Sequence, residues 1–200
     1  MTLRADLQSI ADRVPDGARV LDVGCGDGAL MAWLEAHKDC DARGIELSRD
    51  GVNTCLEKGL SVVQGDADTD LKNYPSDGFD IAVLSKTVQA TRSPSQVIEN
   101  LLRIAPRAII SFPNFGHWRV RLSLLFNGRM PVNDTLPVTW HETPNIHLCT
   151  ATDFARLAQD LGITVSEVFE PIKDVPGAQN ALWWFNIRAR DAVFDLKRGP

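Results

Sequence analysis

The sequence has only four cysteines, Cys25, Cys40, Cys55 and Cys149, irregularly spaced and with no CxxC pair. They form neither a zinc knuckle nor a disulfide framework, and a reducing cytoplasm suits them best. No uninterrupted apolar run approaches the ~20 residues that span a bilayer. The first residues, with Leu3, Arg4 and Asp6, lack the charged-then-apolar pattern of a signal peptide. Neither membrane insertion nor standard secretion is expected. Basic residues are also short: 21 Lys and Arg face 26 Asp and Glu, for a formal charge of -5. Nonspecific nucleic-acid affinity comes chiefly from Lys and Arg displacing counterions, so nucleic acid is not an expected partner.

What remains is 200 residues with 44% hydrophobic content, enough for one well-packed core and too few for two ordinary domains. One domain over residues 1–200 is expected. Leu3, Leu7, Ile10, Ala11 and Val14 recur at helical spacing before the turn Pro15-Asp16-Gly17. Strands are expected at Arg19–Val23, Ala42–Leu47, Leu60–Gln64, Phe79–Leu84 and Arg107–Phe112, with helices at Ala29–His37 and Arg49–Lys58 between them. Ser93 reads as an N-cap, with Pro94 at the first helical position and Gln96 completing a capping box; Val97, Ile98, Leu101 and Leu102 supply that helix's buried face. A helix near Ala151–Leu161 and strands near Ile163–Phe169 and Ala181–Arg190 close a count of seven strands. Such alternation predicts an α/β fold, a mostly parallel sheet with helices on both faces, because each parallel crossover needs a helix to return the chain.

Between the first strand and its helix lies Asp22-Val23-Gly24-Cys25-Gly26-Asp27-Gly28. A glycine-rich turn there brings bare backbone close to a ligand. The spacing is GxGxG with an acid two residues ahead, not the GxGxxG of dinucleotide folds, and no GK[ST] follows as in a phosphate loop. Cys25 reads as a small filler, since no basic partner that would make it a nucleophile is visible. This DxGxGxG turn resembles motif I of class I S-adenosylmethionine-dependent methyltransferases. The resemblance implies a Rossmann-like class I methyltransferase fold binding S-adenosylmethionine or S-adenosylhomocysteine through Asp22, Gly24, Cys25, Gly26, Gly28, Leu47, Ala67 and Ser85. It also gives Glu46, near the end of the second strand, the ribose hydroxyls, and Asp66, after the third, the adenine amino group. Acids suit a ligand that carries a sulfonium and an ammonium but no phosphate.

No catalytic residue stands out. Ser85-Lys86-Thr87-Val88-Gln89, at the carboxyl edge of the sheet, offers no histidine or aromatic to shape an acceptor site, and an unperturbed Lys86 is protonated at neutral pH. The stretch Asn114–Cys149 is long, aromatic and without clear regular structure, which predicts an inserted lid or binding loop over residues 114–149. His141 and His147 lack an HExxH arrangement, so no metal site is expected. Trp, Arg and Met in this stretch are the residue types that protein contacts favour. Four segments together, Val20–Gly28, Ser111–Arg119, Gly128–Val132 and Thr143–Cys149, resemble the MetW family of methionine biosynthesis proteins over nearly the whole chain. That resemblance implies a partner, homoserine O-acyltransferase (MetX), contacted through Trp118, Arg119, Arg121, Arg129 and Trp140. Two functions stay open: an accessory or regulatory subunit of that enzyme, and a methyltransferase acting on a small molecule.

Overall fold

The computed structural model describes residues 3–133, 136–170, 175–176 and 182–199. Its strands are β1 Arg19–Val23, β2 Asp41–Glu46, β3 Ser61–Gln64, β4 Ile81–Ser85, β5 Arg107–Pro113, β6 Thr164–Glu170, β7 Val175–Pro176 and β8 Asp191–Lys197. The helices are α1 Ala5–Ala11, α2 Ala29–Lys38, α3 Arg49–Glu57, α4 Ala67–Asp70, α5 Pro94–Ile104, α6 Trp118–Asn127, α7 Ala151–Asp160 and α8 Leu182–Arg188. The strands form one sheet in the order β3-β2-β1-β4-β5-β8-β6-β7. β1 to β5 are parallel, and β8 inserts antiparallel between β5 and β6. This is the Rossmann-like class I methyltransferase architecture.

Alternation along the strands sorts side chains onto two faces. Val20, Ile81, Val83, Ile109 and Val193 share a core with Leu7 and Ile10 of α1, Leu30, Met31 and Leu34 of α2, and Cys55 of α3. Their neighbours Leu21, Ala82, Leu84, Ile110, Phe112 and Phe194 pack with Val97, Ile98 and Leu101 of α5 and Phe154 of α7. Phe112, Phe154 and Phe194 meet with ring centroids 4.7–5.8 Å apart. Strand order reverses between β1 and β4, which opens a crevice at the carboxyl ends of these strands, the usual ligand position in open α/β sheets. No helix among the described residues is long and apolar enough to cross a membrane.

The C-terminal third departs from the sequence reading. The strand expected over Ala181–Arg190 is instead α8 over Leu182–Arg188, followed by β8 at Asp191–Lys197; Ala181 itself lies outside the described residues. The two-residue β7 was not anticipated, so the sheet has eight strands among the described residues where seven are expected. The stretch after Asn114 is not wholly irregular, because it contains α6, which is N-capped by the His117 ring and closed at a left-handed Gly128. Within that stretch Asp134 and Thr135 lie outside the described residues. Ser93 does precede α5, with Pro94 in the first turn, yet its side chain makes no cap bond. Asp68 instead accepts from the Arg92 and Ser93 amides just ahead of the helix. A true capping box occurs at α7, between Thr150 and Asp153.

One buried polar lock ties this region together. The Asn114 amide nitrogen donates to the carbonyls of Asn186 and Ala189, and its oxygen accepts from the Gly116 and Ala151 amides. The roots of α6, α7 and α8 are thus held by one fully buried side chain. Asn114→Ala should lose roughly 2–4 kcal/mol of unfolding free energy by urea titration, since it strands several buried groups. A loss below about 1 kcal/mol would show that the lock is dispensable.

Candidate functional site

The turn after β1 is built on left-handed glycines, with φ of +71° at Gly24, +58° at Gly26 and +72° at Gly28. Their surroundings differ. A Cβ on Gly28 would strike Leu60 and Cys55, so that glycine allows α2 to pack. A Cβ on Gly26 would meet nothing within 4 Å, leaving its backbone bare toward the crevice. The end of β2 fixes the turn: Ile45 O accepts from the Gly24 and Cys25 amides, and the Glu46 carboxylate accepts from Gly26 N at 2.9 Å and Ser48 N at 2.8 Å.

Two adjoining cavities meet at Gly24. One, of about 540 Å³, is lined by Glu46, Leu47, Asp66, Ala67, Thr87 and Arg92 among others. The second, of about 600 Å³, lies beneath α1 and is lined by Leu7, Asp22, Cys25, Gly26, Ser85 and Lys86 among others. The structure therefore gathers Asp22, Gly24, Cys25, Gly26, Glu46, Leu47, Asp66, Ala67 and Ser85 along one cleft; Gly28 lines neither cavity. Glu46 keeps lone pairs free beyond its two backbone donors. Asp66 caps α4 through Asp68 N and is ion-paired to Arg92, which also reaches Asp68. Nothing in the sequence spacing points to Arg92.

Asp22 is the electrostatic centre of the cleft. Only 2% exposed, its carboxylate meets no hydrogen-bond donor among the described residues, and burial together with nearby Glu46 pushes its pKa up to about 7. Burial and the same Asp22 push the Cys25 thiol well above its ordinary value, which fits the filler reading. No histidine lines either cavity: His117 is buried at the α6 N-cap, and His147 sits 3.4 Å from Arg92 O. Among the described residues no group of three or more His, Cys, Asp or Glu is placed to hold a metal ion.

The residues expected at a partner contact lie elsewhere, on and after α6. Trp118, Arg119, Arg121, Arg129 and Trp140 are all exposed; Arg119 lies over the Trp118 ring, and Arg121 Nε donates to Gly116 O. The sequence reading missed their apolar neighbours Leu125 and Phe126, 73% and 76% exposed, and the stacked, exposed pair Trp183 and Trp184 on α8. A strand assignment had hidden that pair.

Asp22 makes stability depend on pH. Its folded-state pKa lies above the unfolded value of 3.8, so its contribution is fully present below that value and is lost as pH rises through about 7. At pH 8, Asp22→Asn should therefore exceed the wild type in stability by on the order of 1–3 kcal/mol, the gap closing toward pH 4. Equal urea midpoints at both pH values would mean that Asp22 is compensated.

Comparisons place the chain among known proteins. A bifunctional methionine biosynthesis protein MetXA/MetW from Rhodopirellula baltica is 31% identical over 176 residues, or 84% of this chain, which spans only 28% of that relative's length. A ubiquinone biosynthesis O-methyltransferase from Paraburkholderia phymatum is 36% identical over 89 residues, 42% of this chain and 38% of its own. Among solved structures, a SAM-dependent methyltransferase from Thermotoga maritima superposes with a TM-score of 0.69 at 15% identity, covering 96% of this chain and 87% of its own. A methyltransferase in complex with the Trm112 activator of Haloferax volcanii gives 0.70 at 15% identity, covering 98% and 90%. At such identities these likenesses speak for the fold alone. The family described as methionine biosynthesis protein MetW matches residues 4–196, and the chain belongs to it.

Proposed function

We propose that the cleft binds S-adenosylmethionine or S-adenosylhomocysteine, and that the chain is a subunit supporting or regulating homoserine O-acyltransferase (MetX) in the cytoplasm. The observation that carries the ligand reading is the unpaired, buried Asp22 carboxylate at the end of β1, with Glu46 and Asp66 along the same cleft. An ammonium or sulfonium is stabilised there, whereas a pyrophosphate is repelled. In this reading Glu46 accepts from the ribose hydroxyls, Asp66 from the adenine amino group, and the bare backbone at Gly26 admits the amino-acid end. S-adenosylmethionine supplies an electrophilic methyl group when bound.

The partner reading draws support from a relative whose name joins MetXA and MetW in one polypeptide. In it residues 1–200 act as one domain, with 114–149 as the segment that meets the acyltransferase. Its anchors are Trp118, Arg119, Arg121, Arg129 and Trp140, types that concentrate interface energy when buried. A second reading, an active methyltransferase acting on a small molecule, is favoured by the similarity to an O-methyltransferase over 42% of the chain. Against it, no histidine faces the cleft to act as acceptor-site base, although methyl transfer can proceed by positioning alone.

Arg119→Ala or Trp140→Ala should weaken capture of the acyltransferase by roughly 1–4 kcal/mol and lower its rate, while calorimetric affinity for S-adenosylhomocysteine is kept. The subunit reading falls if the wild-type chain neither binds the acyltransferase nor changes its rate. The ligand reading falls separately if calorimetry detects NAD but no S-adenosylhomocysteine.

A further inference from the structure

A third cavity lies apart from the cleft. It measures about 380 Å³ and is bounded by the segment after β4, the stretch 147–149 and the N-terminal parts of α5 and α7. Val88, Leu148, Phe154 and Leu157 make its wall largely apolar, and it shares no lining residue with either cleft cavity. The chain from Thr87 to Arg92 is the partition: Val88 and Gln89 line this cavity, whereas Thr87, Ala90, Thr91 and Arg92 line the cleft. An apolar hollow of this size with a few fixed polar groups is the usual form of a small-molecule site.

One of those polar groups is an acceptor without a donor. Gln89 is only 1% exposed. Its backbone oxygen accepts from Ile146 N and His147 N, and its Nε2 donates to Pro113 O at 3.1 Å and to Cys149 Sγ at 3.3 Å. Pro113 O can only accept, which fixes the amide nitrogen on that side. Oε1 is left buried with no hydrogen-bond partner among the described residues. Leaving such an acceptor unmet costs roughly 1–3 kcal/mol. A donor lies in the same wall. The first amides of a helix have no partner inside it, and at α5 the Ser93 side chain makes no cap bond while Pro94 has no N–H. Pro94 and Ser95 both line the cavity, so this uncapped first turn borders it.

Charge narrows the occupant. The Asp153 carboxylate also lines the cavity, held by Thr150 N and Oγ1 in the α7 capping box. It disfavours an anion at the α5 terminus. A neutral group that donates and accepts, carried on an apolar body, suits what is left.

We propose that this cavity is a second ligand site, taking a compact apolar molecule that bears a neutral carboxamide. The amide N–H meets Gln89 Oε1, and its carbonyl meets the uncapped first turn of α5. Oε1 is itself closed to solvent, so the ligand reaches it by displacing wall atoms slightly, and the exposed His147 and Leu148 are the wall residues that yield. The site is independent of the nucleoside reading of the cleft.

The probes are benzamide, N,N-dimethylbenzamide, which keeps the carbonyl but has no N–H, and benzoate, each titrated into the full chain by amide NMR. Benzamide should bind with a Kd on the order of 1 mM or tighter, shifting Val88, Gln89, Ser95 and Phe154, and the other two should bind at least about 10-fold more weakly. Gln89→Met should bring the two amides within about three-fold of each other. Leu157→Trp, which fills the cavity from α7, should abolish the benzamide shifts. Gln89→Met also strands Pro113 O, so a melting curve accompanies it; if it does not fold, the wild-type ratio and Leu157→Trp decide. Equal binding of the two amides by the wild type, benzoate binding as tight as benzamide, shifts confined to the cleft, or no binding below about 10 mM overturns the proposal. Saturating S-adenosylhomocysteine should leave the benzamide shifts in place, and competition between the two overturns the separate site. A chain that takes benzamide as described but no S-adenosylhomocysteine loses only the nucleoside reading.

Discussion

Between Val23 and Ala29 the chain leaves a strand buried in the sheet and enters a helix packed on that same sheet, and it does so through left-handed backbone at three glycines. Two exclude a side chain sterically: a Cβ on Gly24 would strike Thr87, which itself lines the cleft, and one on Gly28 would strike Leu60 and Cys55. At Gly26 there is open space, and the positive φ alone favours glycine. The turn is therefore crowded at both ends and bare at its middle, where backbone can approach a ligand. The end of β2 holds it there, through the Ile45 carbonyl and the Glu46 carboxylate.

Charge in the cleft is graded by how each acid is satisfied. Asp66 is neutralised by Arg92, and Glu46 is pinned by two backbone amides. Asp22, 2% exposed, has neither kind of partner among the described residues. A carboxylate that is buried without a donor costs free energy, which it escapes by protonation or by meeting a cation. That places the strongest demand for positive charge at the end of β1, next to the bare turn, and the weakest at the far rim, where an uncharged base could lie against Asp66. The gradient follows from residues on two strands and two loops, and it runs along the direction in which an adenosine joined to an amino acid changes from neutral to charged.

The first five strands were legible because each is a short apolar run closed by glycine, proline or an acid. β1, β4 and β5 are central, and burial on both faces removes the need for polar alternation, whereas β2 alternates and β3 is an exposed edge. The last strand failed for the opposite reason. β8 carries Asp191 and Asp195, which read as solvent-facing acids, yet both are buried because Lys86 and Arg107 come to meet them. Only tertiary structure supplies those partners. The preceding Leu182–Arg188, apolar except for Asn186 and Arg188, is too short for its periodicity to separate helix from strand, and it became the expected strand by default. In the cleft, the motif resemblance singles out Asp22, Glu46 and Asp66, which lie near the ends of β1 and β2 and just after β3. Arg92 and Lys86 escape it, since what matters in them is the distant acid each one meets.

The outer face of α6 poses a different physical problem from the cleft. α5 buries Val97, Ile98, Leu101 and Leu102 against the sheet, as an amphipathic helix should. In α6 only Val120 is buried, while Trp118, Leu122, Leu125 and Phe126 face outward beside Arg119 and Arg121. Burying any one of these large apolar side chains is worth about 1.5–3 kcal/mol, so leaving several uncovered on one short helix forgoes a sizeable fraction of a domain's net stability. The helix is nonetheless held rigidly at its root, because Asn114 bolts it to α7 and α8. The same segment returns beside the cleft, where Ile146 N and His147 N both donate to Gln89 O, next to Ala90 of the cleft wall and three residues before Arg92. A surface that is apolar, rigidly mounted and stitched to the wall of the ligand cleft is what a subunit needs if its partner's state is to depend on the nucleoside it holds, provided that the ligand binds the free and partnered forms unequally.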